Sequence, residues 1–320
     1  MVRGIWRYSA ALPFEIRSMN LLALAPSPTV CEDSALADRQ ARLSLRFADD
    51  GGTTRLVERA HFGPLRVQKP LYPEGAAVCH AIIVHPPGGV VGGDELHIKA
   101  SVGAAGRALL TTPGAAKWYK ANGQVSRQTI ALELGPGAHL EWLPQETIFF
   151  DRSEVHLQHA VHLAADASYI GGEILCFGRT ASGETFRQGR ILQRTTLHRE
   201  GKLLWFEQGT LEAAGNAMQS PLGLAGYTVS ATLIAVGKLP VNNEGKPLHR
   251  NQFVNDLRAA TSDLIGANGK CGVSQIKDVI VLRHLGHSSE LARQWLTLAW
   301  QFLRPEFMQR PALVPRIWNT

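Results

Sequence analysis

The segment TIALELGPGAHLEWL, residues 129–143, contains two short apolar runs on either side of the turn Gly135-Pro136-Gly137. Apolar residues that alternate with polar ones are typical of a strand with one buried face, and Gly-Pro-Gly favours a turn between strands. This unit of strand and turn recurs along most of the chain. The other strand-like runs cover residues 43–47, 78–85, 95–102, 108–112, 154–163, 168–177, 189–198, 203–208 and 228–236.

Short strands that follow one another along a chain fold as two stacked sheets or as an irregular solenoid. The runs show no repeat of fixed length, so a regular repeat protein is not indicated. We therefore predict a mainly β fold, a β-solenoid-like stack of short strands in two sheets. A small helical portion is expected toward the C-terminus.

Helical patterns appear only in the last part of the chain. The stronger one is expected to begin at Ser288, which can cap it, and to place Trp295 and Phe302 on one apolar stripe. The pair Arg304-Pro305 predicts its end, because proline disfavours a helical conformation in the residue before it. Trp295 and Phe302 are interpreted as core anchors.

The composition indicates a foldable chain, since 45% of its 320 residues are hydrophobic and 19% are charged. The net charge of +6 is spread thinly, without a basic block, so an acidic protein partner is favoured at least as much as a nucleic acid. The four cysteines are isolated, which argues against a zinc ribbon or a dense disulfide framework. We predict no nucleic-acid partner.

The location predicted from the sequence is the cytoplasm. Isolated cysteines suit a reducing compartment, and the apolar run near residue 21 is too short for a signal peptide. Residues 213–237 contain no charged side chain, but Asn216, Gln219 and Pro221 interrupt them. This pattern favours buried strands or an interface over a membrane-spanning segment.

The first 41 residues show no sustained period. We predict that residues 1–41 form a poorly ordered extension, with Met19 as an alternative start of translation. Residues 42–320 are then a single domain.

His156, His159 and His162 have the spacing of a metal cluster, but their neighbours alternate as in a strand. In a strand, His159 faces the apolar side, and the other two imidazoles lie about 20 Å apart along it, at about 3.3 Å per residue. One ion cannot bind all three. The sequence also lacks nucleophile-elbow, zinc-protease and dinucleotide-binding motifs, so no known catalytic constellation is indicated.

Carboxylates inside apolar or glycine-rich runs are the most unusual feature of the sequence. Asp94 lies in the turn HPPGGVVGGDEL, Glu173 in the run IGGEIL, and Glu207 follows LLWF. Burying a carboxylate is costly unless it is paired, hydrogen-bonded, bound to a metal or exposed to internal water. Two structural explanations stay open, namely a loop in which Asp94 accepts backbone N–H bonds and ion pairs with an arginine such as Arg179, Arg190 or Arg194.

Several blocks of the sequence resemble, in the same order, the urease accessory protein family UreD, which is called UreH in some lineages. They cover the chain from about residue 42 to its end. The blocks are GPL at 63–65, LYPE at 71–74, HPPGGVVGGDEL at 85–96, TPGAAKWY at 112–119, LEWLPQE at 140–146, EILCFGR at 173–179, GETF at 183–186 and PRIWNT at 315–320.

The resemblance implies a non-enzymatic chaperone with a solenoid-like β fold. Such a protein binds apo-urease and the accessory protein UreF, and through UreF it joins the GTPase UreG. The complex delivers nickel to the urease active site along a proposed water-filled route.

By this resemblance, Asp94, Glu173 and Glu207 are candidate ligands on a transient nickel route. Oxygen ligands bind Ni²⁺ more weakly than several imidazoles would, as transport requires. We therefore expect transient Ni²⁺ and no permanently bound cofactor. Two other function classes stay open, a hydrolase that uses acid pairs and a β-rich nucleic-acid-binding protein.

Overall fold

The structure, a computed structural model, describes residues 39–237 and 250–319. The predicted extension, including Met19, lies outside these residues except for its last positions, where Gln40 and Ala41 already belong to the first strand. The strands are β1 (Gln40–Asp50), β2 (Thr53–Phe62), β3 (Arg66–Val67), β4 (Cys79–Val84), β5 (Glu95–Val102), β6 (Arg107–Thr111), β7 (Ala116–Trp118), β8 (Ser126–Leu134), β9 (His139–Trp142), β10 (Thr147–Phe149), β11 (Ser153–Leu163), β12 (Ser168–Phe177), β13 (Gly189–Arg199), β14 (Lys202–Glu212), β15 (Val229–Val236), β16 (Gly269–Ile276) and β17 (Val279–Gly286). The helices are α1 (Asn216–Gln219), α2 (Arg250–Ile265) and α3 (Ser289–Met308).

The strands form two sheets, as the sequence predicts. The first sheet has the order β2-β1-β5-β8-β11-β13-β14. Its five inner strands are parallel to one another, and each edge strand, β2 and β14, pairs antiparallel with its neighbour as a hairpin. The second sheet has the order β3-β4-β6-β9-β12-β15-β17-β16. Its strands β4, β6, β9 and β12 are parallel, and β7 and β10 pair beside β12.

Between β4 and β13 the chain alternates between the two sheets and so winds as a solenoid. Ile98, Ile130, His159 and Thr195 occupy one register position on four successive parallel strands of the first sheet. The steps from residue 98 to 130, to 159 and to 195 are 32, 29 and 36 residues long. Unequal coils explain why no fixed repeat is visible in the sequence, and the solenoid-like stack is confirmed.

The core has two layers. One lies between the sheets, where Leu45, Leu140 and Val161 are buried. The other lies between the second sheet and helices α2 and α3, where Trp295 and Ile170 are buried. Strand β15 is buried at all but one position because it lies between β12 and β17 with helix α3 against it. This position explains why residues 229–236 of the charge-free segment carry no charge.

Helix α3 begins as predicted but ends later. The Oγ of Ser288 accepts a hydrogen bond from the N–H of Leu291 at 3.1 Å. The predicted end at Arg304-Pro305 is wrong, because the helix continues through Pro305 to Met308. Phe307 and Met308 are buried in the helical layer of the core, and their packing outweighs the disruption that proline causes. None of the helices in the described ranges is both long and apolar enough to cross a membrane.

Removing the Ser288 cap should destabilise the protein modestly. Ser288→Ala leaves the N–H of Leu291 without its side-chain acceptor, and we expect a loss of about 1 kcal/mol in the free energy of unfolding. Urea unfolding followed by tryptophan fluorescence measures this change. Ser288→Asp retains an acceptor and is the control, so equal losses in the two variants would contradict a capping role.

Candidate functional site

A cavity of about 110 Å³ lies between the two sheets. Strands β11, β13 and β14 of the first sheet contribute polar side chains to its wall, and β12 of the second sheet contributes the facing ones. These side chains are His159, Gln193, Glu207, Tyr169 and Glu173. Two of the three acids singled out in the sequence therefore line one cavity.

Glu173 occupies the middle of β12, inside the run IGGEIL. Both of its carboxylate oxygens accept hydrogen bonds from the Nε2 of Gln193, each at 2.7 Å. Burial, opposed by the hydrogen bond from Gln193 and the charge of Arg283 and assisted by the charge of Glu207, raises the pKa of Glu173 to about 7. The carboxyl group is therefore close to half-ionised at neutral pH, and its direct partner is a neutral amide.

Glu207 lies on the edge strand β14, where its carboxylate is about a third exposed. The Nη2 of Arg283, on β17 of the other sheet, donates to the Oε1 of Glu207 at 2.7 Å. This ion pair connects the two sheets across the opening of the cavity. Arg283 is thus paired at the opening, while the more deeply placed Glu173 contacts an amide.

His159 on β11 faces the space between the two sheets, as the alternation of its neighbours predicts. Its Nε2 lies 3.3 Å from the hydroxyl oxygen of Tyr169, and burial lowers the pKa of the imidazole to about 4. The ring is therefore neutral at physiological pH and has the protonation state of a metal ligand. Tyr169 folds over Gly171, where any Cβ atom would collide with the phenol ring.

Asp94 lies apart from this cavity. Its Oδ2 accepts a hydrogen bond from the N–H of Val91 at 2.9 Å, and its own N–H donates to the carbonyl of Val91 at 3.0 Å. A Cβ atom at Gly92 would collide with the carbonyl of Ala121, which explains a glycine there. The structure therefore places Asp94 in a turn-closing role and does not bring it to Glu173 and Glu207.

The other buried acids are paired with arginines, but not with those that the sequence suggested. Glu141 binds Arg304 and Glu146 binds Arg293, and both arginines belong to helix α3. Arg179 and Arg190 instead pair with nearby acids, and Arg194 lies over the ring of Phe206. Within the described residues, no group of three or more His, Cys, Asp or Glu side chains is arranged to hold a metal ion.

Glu173 should make the stability of the protein depend on pH. Because its pKa is about 7 in the folded protein and 4.5 is the usual value, the folded state binds a proton that the unfolded state releases between these pH values. The free energy of unfolding therefore falls as the pH rises from 4.5 through 7. Glu173→Gln should remove this fall. At pH 8 its free energy of unfolding should exceed that of the wild type by about 1–3 kcal/mol.

The measurement is urea unfolding of both proteins at pH 5 and at pH 8. Glu58→Gln, which changes an exposed acid of the β1–β2 hairpin, is the control and should not alter the difference between the two pH values. If the free energies of unfolding of Glu173→Gln and the wild type differ by the same amount at both pH values, the raised pKa of Glu173 is contradicted.

Comparison with known proteins places the chain among close relatives. A sequence profile described as "UreD urease accessory protein" matches residues 39–319. The urease accessory protein UreD of Janthinobacterium sp. (strain Marseille) is 65% identical over 281 residues, which cover 88% of this chain and 92% of the relative. The protein of the same name from Nitrosospira multiformis is 50% identical over 281 residues, covering 88% and 98%. The similarity extends over both sheets and the C-terminal helices.

Proposed function

The chain belongs to the UreD family of urease accessory proteins, and on that premise we propose that it acts in urease maturation as a scaffold for nickel delivery. It binds apo-urease and UreF, and through UreF it joins the GTPase UreG. The complex then passes Ni²⁺ to the urease active site. The chain has no catalytic role of its own in this scheme.

The observation that carries the nickel part of the proposal is that Glu173 and Glu207, from facing sheets, line one cavity. Glu207 lies at the opening and Glu173 lies deeper, so a cation that enters meets two carboxylates in succession. The charge of Glu207 raises the pKa of Glu173, so the two carboxylates repel each other when both are ionised. A dication between them would relieve this repulsion.

The protonation state of Glu173 suits binding that must be reversible. A group with a pKa of about 7 can give up its proton to an arriving Ni²⁺ at little cost and can regain it when the ion leaves. Carboxylate oxygens are also weaker ligands for Ni²⁺ than several imidazoles. The neutral imidazole of His159 adds one nitrogen to the lining of the same cavity without forming a closed site.

A reconstitution experiment tests the proposal. Apo-urease, UreF, UreG, GTP and Ni²⁺ are mixed with or without the full chain, and urease-bound nickel and urea hydrolysis are measured. We expect both quantities to rise several-fold when the chain is present, and we expect UreF to co-purify with it. Equal nickel loading with and without the chain would overturn the proposal.

A further inference from the structure

The outer face of the first sheet carries a row of polar side chains at one register position. Glu133 on β8 lies beside His162 on β11, and His162 lies beside His198 on β13. Residues at one register position of parallel strands point to the same face, and neighbouring strands are about 4.8 Å apart. This row faces away from the cavity, because the alternate residues Leu132, Val161 and Leu197 face the core.

The two imidazoles of this row are stacked. The ring centroids of His162 and His198 are 5.0 Å apart and the ring planes differ by only 7°. His162 is exposed, and the Nδ1 of His198 is buried without a hydrogen-bond partner among the described residues. The in-plane lone pairs of two parallel rings do not converge as they stand, so one ion can bind both imidazoles only after their side chains rotate.

The pair is open to solvent. His162 and His198 line a surface depression of about 440 Å³, together with Glu133 and Glu200. The Oε1 of Glu133 forms an ion pair with the Nζ of Lys99 at 3.0 Å, so this neighbouring carboxylate already has a partner. Both imidazoles border this depression, and because the Nδ1 of His198 is buried, an ion from solvent has to bind its Nε2.

We propose that His162 and His198 form a two-imidazole binding site for a divalent ion of borderline softness, Ni²⁺ or Zn²⁺. Bonds from imidazole nitrogen to such ions are about 2.0–2.1 Å long, so the two ligating nitrogens must approach within about 4 Å of each other. The ring centroids are 5.0 Å apart, so rotation of the two side chains out of the stacked arrangement can bring the nitrogens to this separation. Water completes the coordination, and the ion exchanges readily because only two protein atoms hold it.

This site is separate from the route through the cavity, since the sheet itself lies between them. It therefore does not depend on the proposed function. Its binding should weaken at acidic pH, because protons compete with the ion for imidazole nitrogen.

The experiment measures equilibrium binding of NiCl₂ and ZnSO₄ to the untagged full chain at pH 7.5 and pH 5.5. We expect His162→Ala and His198→Ala each to lose one equivalent of bound metal, or to weaken its binding by at least about tenfold. His156→Ala is the matched control, because His156 lies on the same strand and face but has Arg127 and Leu192 as its neighbours. Binding to this control should equal that of the wild type.

Three results would overturn the proposal. They are wild-type protein that binds neither metal, unchanged binding in both His162→Ala and His198→Ala, and loss of the same equivalent in Glu173→Gln, which would assign the ion to the cavity. The thermal midpoint of each variant is measured in parallel. His162→Gln, which keeps the polarity and approximate size of the side chain, replaces His162→Ala if the alanine variant unfolds.

Discussion

Arg304→Ala should destabilise the protein by about 3–5 kcal/mol, because it strands two buried carboxylates. The guanidinium of Arg304 is 1% exposed, and its Nη1 and Nη2 each donate to Glu74 at 2.7 Å. Its Nε donates to the Oε1 of Glu141 at 2.9 Å. The same Glu141 oxygen accepts from the indole of Trp300 at 2.6 Å, so the alanine variant breaks a connected network.

This network joins distant parts of the chain. Glu74 lies in the segment before β4, Glu141 on β9 and Arg304 on α3, and His80 on β4 lies 2.6 Å from the carboxylate of Glu74. Burial by itself would raise the pKa of Glu74, but the hydrogen bonds from His80 and Arg304 outweigh it and lower the pKa to about 2. The resulting stabilisation is complete above the usual pKa of 4.5 and is lost as the pH falls through 2.

Urea unfolding at pH 7 measures the loss. Arg55→Ala is the control, because Arg55 pairs with Asp50 at 2.8 Å on the surface, with side chains that are 58% and 70% exposed. The free energy of unfolding of Arg55→Ala should stay within about 1 kcal/mol of that of the wild type. A triple variant, Arg304→Met with both partner glutamates changed to Gln, should recover part of the loss since no buried charge remains. If the free energy of unfolding of Arg304→Ala lies within about 1 kcal/mol of that of the wild type, the network is dispensable for stability.

Glu173→Gln and Glu207→Gln should each lower the nickel content of urease on the order of tenfold in the reconstitution, while the accessory complex still assembles. Loss of even a residue that supports a metal ligand costs about 10–100-fold in metal affinity or activity. Folding should tolerate Glu173→Gln, because its direct partner is the amide of Gln193 and no charge is stranded. Glu207→Gln frees Arg283, which is half-exposed and can be solvated.

The measurements are soluble yield, pull-down of UreF, UreG and urease, and urease-bound nickel. Glu58→Gln, an exposed acid on the β1–β2 hairpin, should leave all three unchanged. If assembly fails in step with nickel delivery, the two acids are structural and the route through the cavity is rejected.

Asp94 needs a separate comparison because it lies in the glycine turn. Asp94→Asn can keep the hydrogen bond from the N–H of Val91 and removes only the charge, whereas Asp94→Ala removes both. Loss of urease nickel in the asparagine variant would place Asp94 on the route. If Asp94→Asn delivers nickel fully and Asp94→Ala loses soluble yield, the only role of Asp94 is to close the turn.

The strands that the sequence predicts are those whose signals are local. Gly135-Pro136-Gly137 ends β8 and begins the path to β9, and the alternation in residues 154–163 places His159 toward the core, where the structure has it. Strands β2, β3, β7, β10 and β16 are not predicted, because β2 and β16 each bury only one residue and the other three are two or three residues long. Strand β17 is also missed, although its apolar start at residues 279–282 carried a usable signal.

The pairs that make up the candidate site could not be predicted in this way. Glu173 meets Gln193 from the other sheet, and Glu207 meets Arg283, which is 76 residues further along the chain. Alternation shows which face of a strand a residue occupies. Which residue of the other sheet it contacts depends on the length of every intervening coil. Those lengths, 32, 29 and 36 residues, follow no period. The sequence alone therefore determined the strands, the turns, the family and the unusual acids, whereas only the tertiary structure decided which acids share a cavity and which are neutralised by helix α3.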